Sequence, residues 1–201
     1  MTDTRDALTE LSSGPLADLR DPADLVERET VFHGQVWDVV RDRVRFGDAE
    51  LVREYVQHTG AVAVLAVDQE ERVLLINQYR QPIASRDWEI PAGLLDVPGE
   101  DPLTAARREL AEEVDLEASD WSDPLTFHTS PGGSDEVVHI FEARGLRELD
   151  AFDRVDEEAE IVLRWAPLDE VIDGVLAGRL RNGILMQAVL AAAVRRGRAR
   201  G

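Results

Sequence analysis

The chain contains no cysteine, which excludes a disulfide framework, a thiolate nucleophile and a sulfur-ligated zinc site. Lysine is absent as well, and all 22 basic residues are arginine. Schiff-base and pyridoxal chemistry need an amine, and a Walker phosphate loop needs its lysine, so those mechanisms fall away. No apolar run approaches the length of a membrane span. The N-terminal MTDTRDALTELSSG lacks the basic-then-apolar pattern of a secretion signal. A membrane is therefore not an expected partner, and the expected location is cytoplasmic. Positive charge is scarce: 41 acidic residues outweigh the basic ones and leave a formal net charge of −19. That balance argues against nucleic acid, whose phosphate backbone requires a basic footprint. The arginines between Arg195 and Arg200 are too few to reverse it and are expected to cap a helix dipole or fray in solvent.

What is present suffices for one good core with a small appendage. Residues 1–25 are polar and acidic with a Gly-Pro break, and are expected to form a loose arm or a short helix. Residues 26–58 form an expected N-terminal β subdomain with strands at Thr30–His33, Val36–Phe46 and Leu51–His58, turning at Gly34 and at Gly47-Asp48. So small a unit cannot bury its own face and must pack on the main domain or on a second subunit. The main domain is expected over residues 59–201. Its first strands are the apolar runs 61–67 and 73–76, separated by the polar turn Asp68–Arg72. Trp88–Gly93 is an extended segment, Val137–Phe141 a further strand, and Asp169–Arg196 two helices broken near Arg181-Asn182-Gly183. The apolar residues of the last segment, Ile184, Leu185, Val189, Leu190 and Val194, are core packing. Strands together with helices in one chain make it α+β.

One stretch carries chemistry. Residues 93–116 read GLLDVPGEDPLTAARRELAEEVDL. Asp101 as N-cap and Pro102 at the first helical position start a helix. Leu103, Ala106 and Leu110 recur at helical spacing and form its buried stripe. Glu109, Glu112 and Glu113 stand at i, i+3 and i+4, which puts three like charges on one face. A helix that tolerates this is either solvated there or holding a hard cation. An oxygen-only cluster suits Mg²⁺ or Mn²⁺, which take carboxylates together with water and substrate phosphates. Glu100 is an expected partner for Arg108, bracing the loop against the helix.

The ordered series Gly93, Glu100, Arg108, Glu109, Leu110, Glu112, Glu113, Leu116 resembles the Nudix box, the signature of hydrolases that cleave a nucleoside diphosphate linked to another group. It departs twice from the family pattern. Six residues instead of five separate Gly93 from Glu100, which alters the loop more than the metal site. Asp115 replaces a glycine just past the helix end, where a left-handed conformation is often needed and Asp accepts it at modest cost. The resemblance implies the Nudix fold, a mixed sheet flanked by helices in an α/β/α sandwich, and implies that the carbonyl of Ala92 joins Glu109, Glu112 and Glu113 in holding two or more ions. The downstream loop Ser130-Pro131-Gly132-Gly133-Ser134-Asp135-Glu136 is similar to that of the ADP-ribose pyrophosphatase branch.

That branch implies a reaction and further residues. A metal-activated water would attack the diphosphate of ADP-ribose and release AMP and ribose 5-phosphate. The matching base is Glu136, with Asp135 as its competitor. Without lysine the diphosphate must be held by arginine, whose fork suits phosphate oxygens. Arg80 matches an arginine the branch uses, and Arg53 and Arg86 are further candidates. Trp37 or Phe32 would offer an adenine platform, from the same subunit or from the partner in an expected homodimer that shares its N-terminal sheet. Bound cations would reconcile an acidic protein with an anionic substrate. Other nucleotide sugars remain alternatives, as does a non-catalytic sensor, although sensors can lose glutamates that are all present here. The four histidines (His33, His58, His128, His139) show no ligand spacing and receive no role.

Overall fold

A computed structural model describes residues 15–150 and 161–199. Of the acidic arm, residues 1–14 lie outside the described residues, and residues 15–23 carry neither helix nor strand. The centre of the molecule is β4 (Ala61–Ala66), all of whose residues are buried. An uninterrupted apolar strand of this kind has to be covered on both faces, and it is. Ala61, Ala63 and Leu65 point into one core with Val171, Val175, Leu185 and Val189. Val62, Val64 and Ala66 point into the other with Ala105, Ala106, Leu110 and Val114.

Pairing around β4 makes a mixed sheet. Its neighbours are β7 (Ala92–Leu94), antiparallel, and β10 (Val137–Glu148), parallel with Val138 opposite Ala61. The far edge of β10 pairs with β8 (Leu116–Trp121) and β9 (Leu125–His128), both antiparallel. A second sheet orders β11 (Val162–Pro167), β5 (Arg72–Arg80) and β6 (Ser85–Glu89). Helix α1 (Pro102–Val114) covers the second core, and α2 (Leu168–Leu176) and α3 (Gly183–Ala199) cover the first. The expected α/β/α sandwich is present, as are the two helices broken before Gly183.

The N-terminal sheet is built differently. Strands β1 (Asp24–His33), β2 (Asp38–Phe46) and β3 (Ala49–Gln57) form an antiparallel meander. It buries Val40 and Asp42 while leaving Phe32, Trp37, Phe46 and Val52 exposed. Cross-strand arginine–carboxylate pairs tie it together, with Arg28 on Asp42 and Arg41 on both Glu29 and Glu54. Expected boundaries shift here: β1 begins at Asp24, and Val36 and Trp37 lie in the turn instead of the strand. Elsewhere β5 continues to Arg80 and β10 to Glu148, the extended segment expected at Trp88–Gly93 is divided between the end of β6 and the start of β7, and β8, β9 and β11 appear where no strand was expected.

Candidate active site

Helix α1 is set by its ends. The Asp101 carboxylate accepts hydrogen bonds from the Leu103 and Thr104 amides at 3.1 and 3.3 Å, satisfying donors the first turn leaves open. Asp115 closes the helix at φ +56°, ψ +37°, its amide donating to Ala111 at 3.0 Å. Local chemistry thus fixes which residues the helix turns outward. Arg108 lies at the middle of that face and reaches Glu100 (2.9 Å), Glu109 (2.6 Å) and Glu112 (3.4 Å). The expected Glu100–Arg108 brace is therefore made, and the guanidinium holds the Glu100 carboxyl below its usual range.

The glycine loop meets this face at β7. An added Cβ on Gly93 would lie 2.0 Å from the Glu109 carboxyl carbon, so only a residue without a side chain lets the backbone approach that carboxylate. Burial raises the Glu109 pKa, opposed by Arg108 and aided by the charges of Glu112 and Asp96. Glu113 is 8% exposed, and its carboxylate accepts the Ala92 amide at 3.0 Å. Ala92 is thereby joined to the helix through its N–H. Glu112 is half exposed.

Downstream, the Ser-Pro-Gly loop docks on β3. The Val56 amide donates to Gly133 at 3.0 Å, and the Asp135 amide donates back to Val56 at 3.2 Å. The Asp135 side chain accepts the His58 amide at 2.7 Å. Glu136 is held separately: the Thr129 hydroxyl donates to one carboxylate oxygen at 2.6 Å, and His58 Nε2 lies 3.5 Å from the other. Between sheet and loop opens a cavity of about 520 Å³, whose lining includes Arg53, Tyr55, His128, Pro131 and Ser134. None of the α1 glutamates lines it.

A model of the NUDIX domain matches residues 57–187. The chain belongs to the Nudix family. Its relatives include the ADP-ribose pyrophosphatase of Mycobacterium tuberculosis, 42% identical over 84% of this chain and 82% of that one. The methanol dehydrogenase activator of Bacillus methanolicus is 35% identical over 82% and 89% of the two chains. The GDP-mannose pyrophosphatase of Yersinia enterocolitica is 30% identical over 75% and 81%. A crystal structure of an ADP compounds hydrolase superposes with a TM-score of 0.73 at 23% identity, covering 92% of this chain and 100% of its own, which shows the fold.

This Nudix chain is an enzyme of the hydrolase class, and hydrolases of the family generally need a divalent metal ion. Among the described residues, no three His, Cys, Asp or Glu side chains converge on one point as a formed metal site. The donor set still fits such an ion. It is all oxygen, and Glu109 is a partly buried carboxylate close against the Gly93 backbone, with Glu112 and Asp96 adding like charge that Arg108 only partly offsets. A hard cation would relieve that repulsion.

The remaining site candidates are scattered over several elements of the Nudix structure. Arg80 at the end of β5 is gripped by Glu89, with Nε to Oε1 at 2.9 Å and Nη2 to Oε2 at 2.7 Å. Glu89 is 4% exposed. It went unassigned in the sequence because its partner sits across a hairpin. Arg86 lies on β6 opposite Tyr79. Arg53 donates to the Val52 carbonyl at 2.8 Å and lines the cavity. Phe32 is 61% exposed. Trp37 stacks on the His58 ring, with centroids 5.3 Å apart and planes at 26°. His58, which shows no ligand spacing in the sequence, contacts both Trp37 and Glu136. Its pairing with Glu136 is long-range and leaves no local signal.

Proposed function

We propose that this Nudix hydrolase cleaves ADP-ribose to AMP and ribose 5-phosphate, with two or more Mg²⁺ ions bound and Mn²⁺ as a substitute. The observation that carries this reading is the 42% identity, over most of both chains, to a protein named ADP-ribose pyrophosphatase. Bound divalent cations supply charge neutralisation at the phosphate oxygens and acidity to the attacking water. Ala92, Glu109, Glu112 and Glu113 would hold them. The chain's own contribution is positioning and proton transfer. Water oxygen forms a bond to one phosphorus, the anhydride P–O bond breaks, and the water proton passes to Glu136. Asp135 is the competing choice of base; its carboxylate accepts the His58 amide, as that of Glu136 accepts the Thr129 hydroxyl. Arg80, with Arg53 and Arg86, would hold the diphosphate, and Trp37 or Phe32 would stack on the base.

The enzyme acts, on this reading, in the cytoplasm as a homodimer through its residue 26–58 subdomain. Support comes from the apolar side chains which the N-terminal sheet leaves uncovered, Phe32 and Phe46 among them. A second substrate reading, another nucleotide sugar, is supported by the 30% identity to a GDP-mannose pyrophosphatase. Product analysis across a panel of nucleoside diphosphate compounds, with and without chelator, separates these. Chelator-sensitive release of AMP and ribose 5-phosphate, fastest from ADP-ribose, is the expected result. Faster cleavage of GDP-mannose would change the substrate and keep the chemistry. Tight binding without cleavage would refute the enzyme reading.

A further inference from the structure

We infer that His58 is a positioning residue for Glu136, a neutral hydrogen-bond donor through which the N-terminal sheet aims the general base. The inference rests on the reading of Glu136 as base. His58 follows directly on β3, and its side chain is only 7% exposed. Its tautomer is decided by its own surroundings. The Gly60 amide, which can only donate, lies 2.9 Å from His58 Nδ1, so Nδ1 accepts and carries no proton. The ring proton then resides on Nε2, the atom facing Glu136 Oε1 at 3.5 Å. That separation is long for a hydrogen bond, as catalytic contacts commonly are before substrate binds, and it closes with a small movement of the loop.

Gly60 is suited to this task. It sits at φ +88°, a left-handed conformation that favours glycine, and a Cβ there would come within 3.2 Å of the Val137 carbonyl. The ring is fixed from the other side by Trp37, which stacks on it at 5.3 Å. Glu136 is thus flanked at both oxygens, by the Thr129 hydroxyl just past β9 at 2.6 Å and by the His58 ring at the root of the N-terminal sheet at 3.5 Å. The loop backbone is tied to β3, the strand that His58 follows, through the hydrogen bonds of Val56 with Gly133 and Asp135. A carboxylate so held presents one direction to a water, and orientation is what a base on a loop most needs.

Two substitutions divide the ring's functions. His58→Asn retains an acceptor near Nδ1 and deletes the distal donor, whereas His58→Gln retains a distal donor. Both are measured alone and on the Glu136→Gln background, using the diphosphate cleaved fastest by the wild type, with melting temperature followed alongside. His58→Asn is expected to lower kcat about tenfold with KM within about twofold, and His58→Gln to recover most of that loss. On the Glu136→Gln background, His58→Asn should cause no further loss, because its effect passes through the carboxylate. A tenfold loss that persists in full on that background overturns the proposal while leaving Glu136 as base. So does a kcat in His58→Gln as low as in His58→Asn. Wild-type kcat in Glu136→Gln itself removes the base reading, and the proposal with it.

Discussion

Replacing Gly93 by alanine should separate stability from activity in this enzyme. The added Cβ would lie 2.0 Å from the Glu109 carboxyl carbon and 2.2 and 2.4 Å from its oxygens, whereas ordinary contact begins at 3.4 Å. The carboxyl carbon must therefore withdraw by about 1.4 Å. Since the obstructing atoms are the far end of a flexible side chain, the backbone has little reason to move. Alanine also restricts the unfolded chain, a gain of about 0.5 kcal/mol that roughly offsets the disturbance. Catalysis is less forgiving. A misplacement of about 1 Å in a positioned group costs on the order of 100-fold, so kcat should fall about 100-fold and metal affinity should weaken. Thermal unfolding, isothermal titration with Mg²⁺ or Mn²⁺, and steady-state hydrolysis together make the assay. Wild-type kcat in Gly93→Ala would mean that the Glu109 carboxylate is not needed where the structure puts it. A melting temperature lowered by more than about 10 °C would mean that the backbone, not the side chain, had yielded.

Other outcomes follow from the same contacts. Arg80→Ala strands the buried Glu89 carboxylate and should cost about 2 kcal/mol, less than for a fully buried pair because Arg80 is partly solvated; denaturant unfolding with no change in midpoint would refute it. Asp42, bonded bidentately by Arg28 at 2.7 and 2.6 Å and by Tyr55 at 3.0 Å, has its pKa lowered chiefly by Arg28. Because the folded value lies below the unfolded one, its contribution is complete above about pH 4 and fades as pH falls through the lowered value. Asp42→Asn should therefore cost about 2 kcal/mol at neutral pH, with the gap to wild type narrowing in acid; an equal gap at all pH values would contradict this. Glu109 has the opposite sign, since burial raises its pKa. Its charge costs stability at neutral pH, and that cost is relieved as pH falls below the raised value. Glu109→Gln should accordingly raise the melting temperature of metal-free protein while removing most activity; a lowered melting temperature would refute the sign.

How much was legible depended on the range of the interactions involved. The bounds of α1 could be read because Asp101, Pro102 and Asp115 act within a few residues of themselves. The Glu100–Arg108 brace was legible for the same reason, lying one loop and two turns apart. Strand β4 was legible as an unbroken apolar run, and its burial on both faces is what the fold adds. Strand β8 was missed because LEASDW has neither clean alternation nor an apolar run, and it becomes a strand by pairing with β10. Trp37 was placed inside the strand expected from Val36 to Phe46, yet the strand begins at Asp38 and the Trp37 ring packs on His58.

By itself the sequence determined the family, because the Nudix box is a local object whose order and spacing are written in one stretch of chain. The absence of cysteine and lysine closed off competing chemistries at the same level. Tertiary structure alone decided which polar groups meet: Arg80 with Glu89, Asp42 with Arg28 and Tyr55, Glu136 with Thr129 and His58. Those partners come from different strands, and which of them face one another is set by sheet register and loop docking. Register is a property of the whole packed core, so no window of sequence contains it.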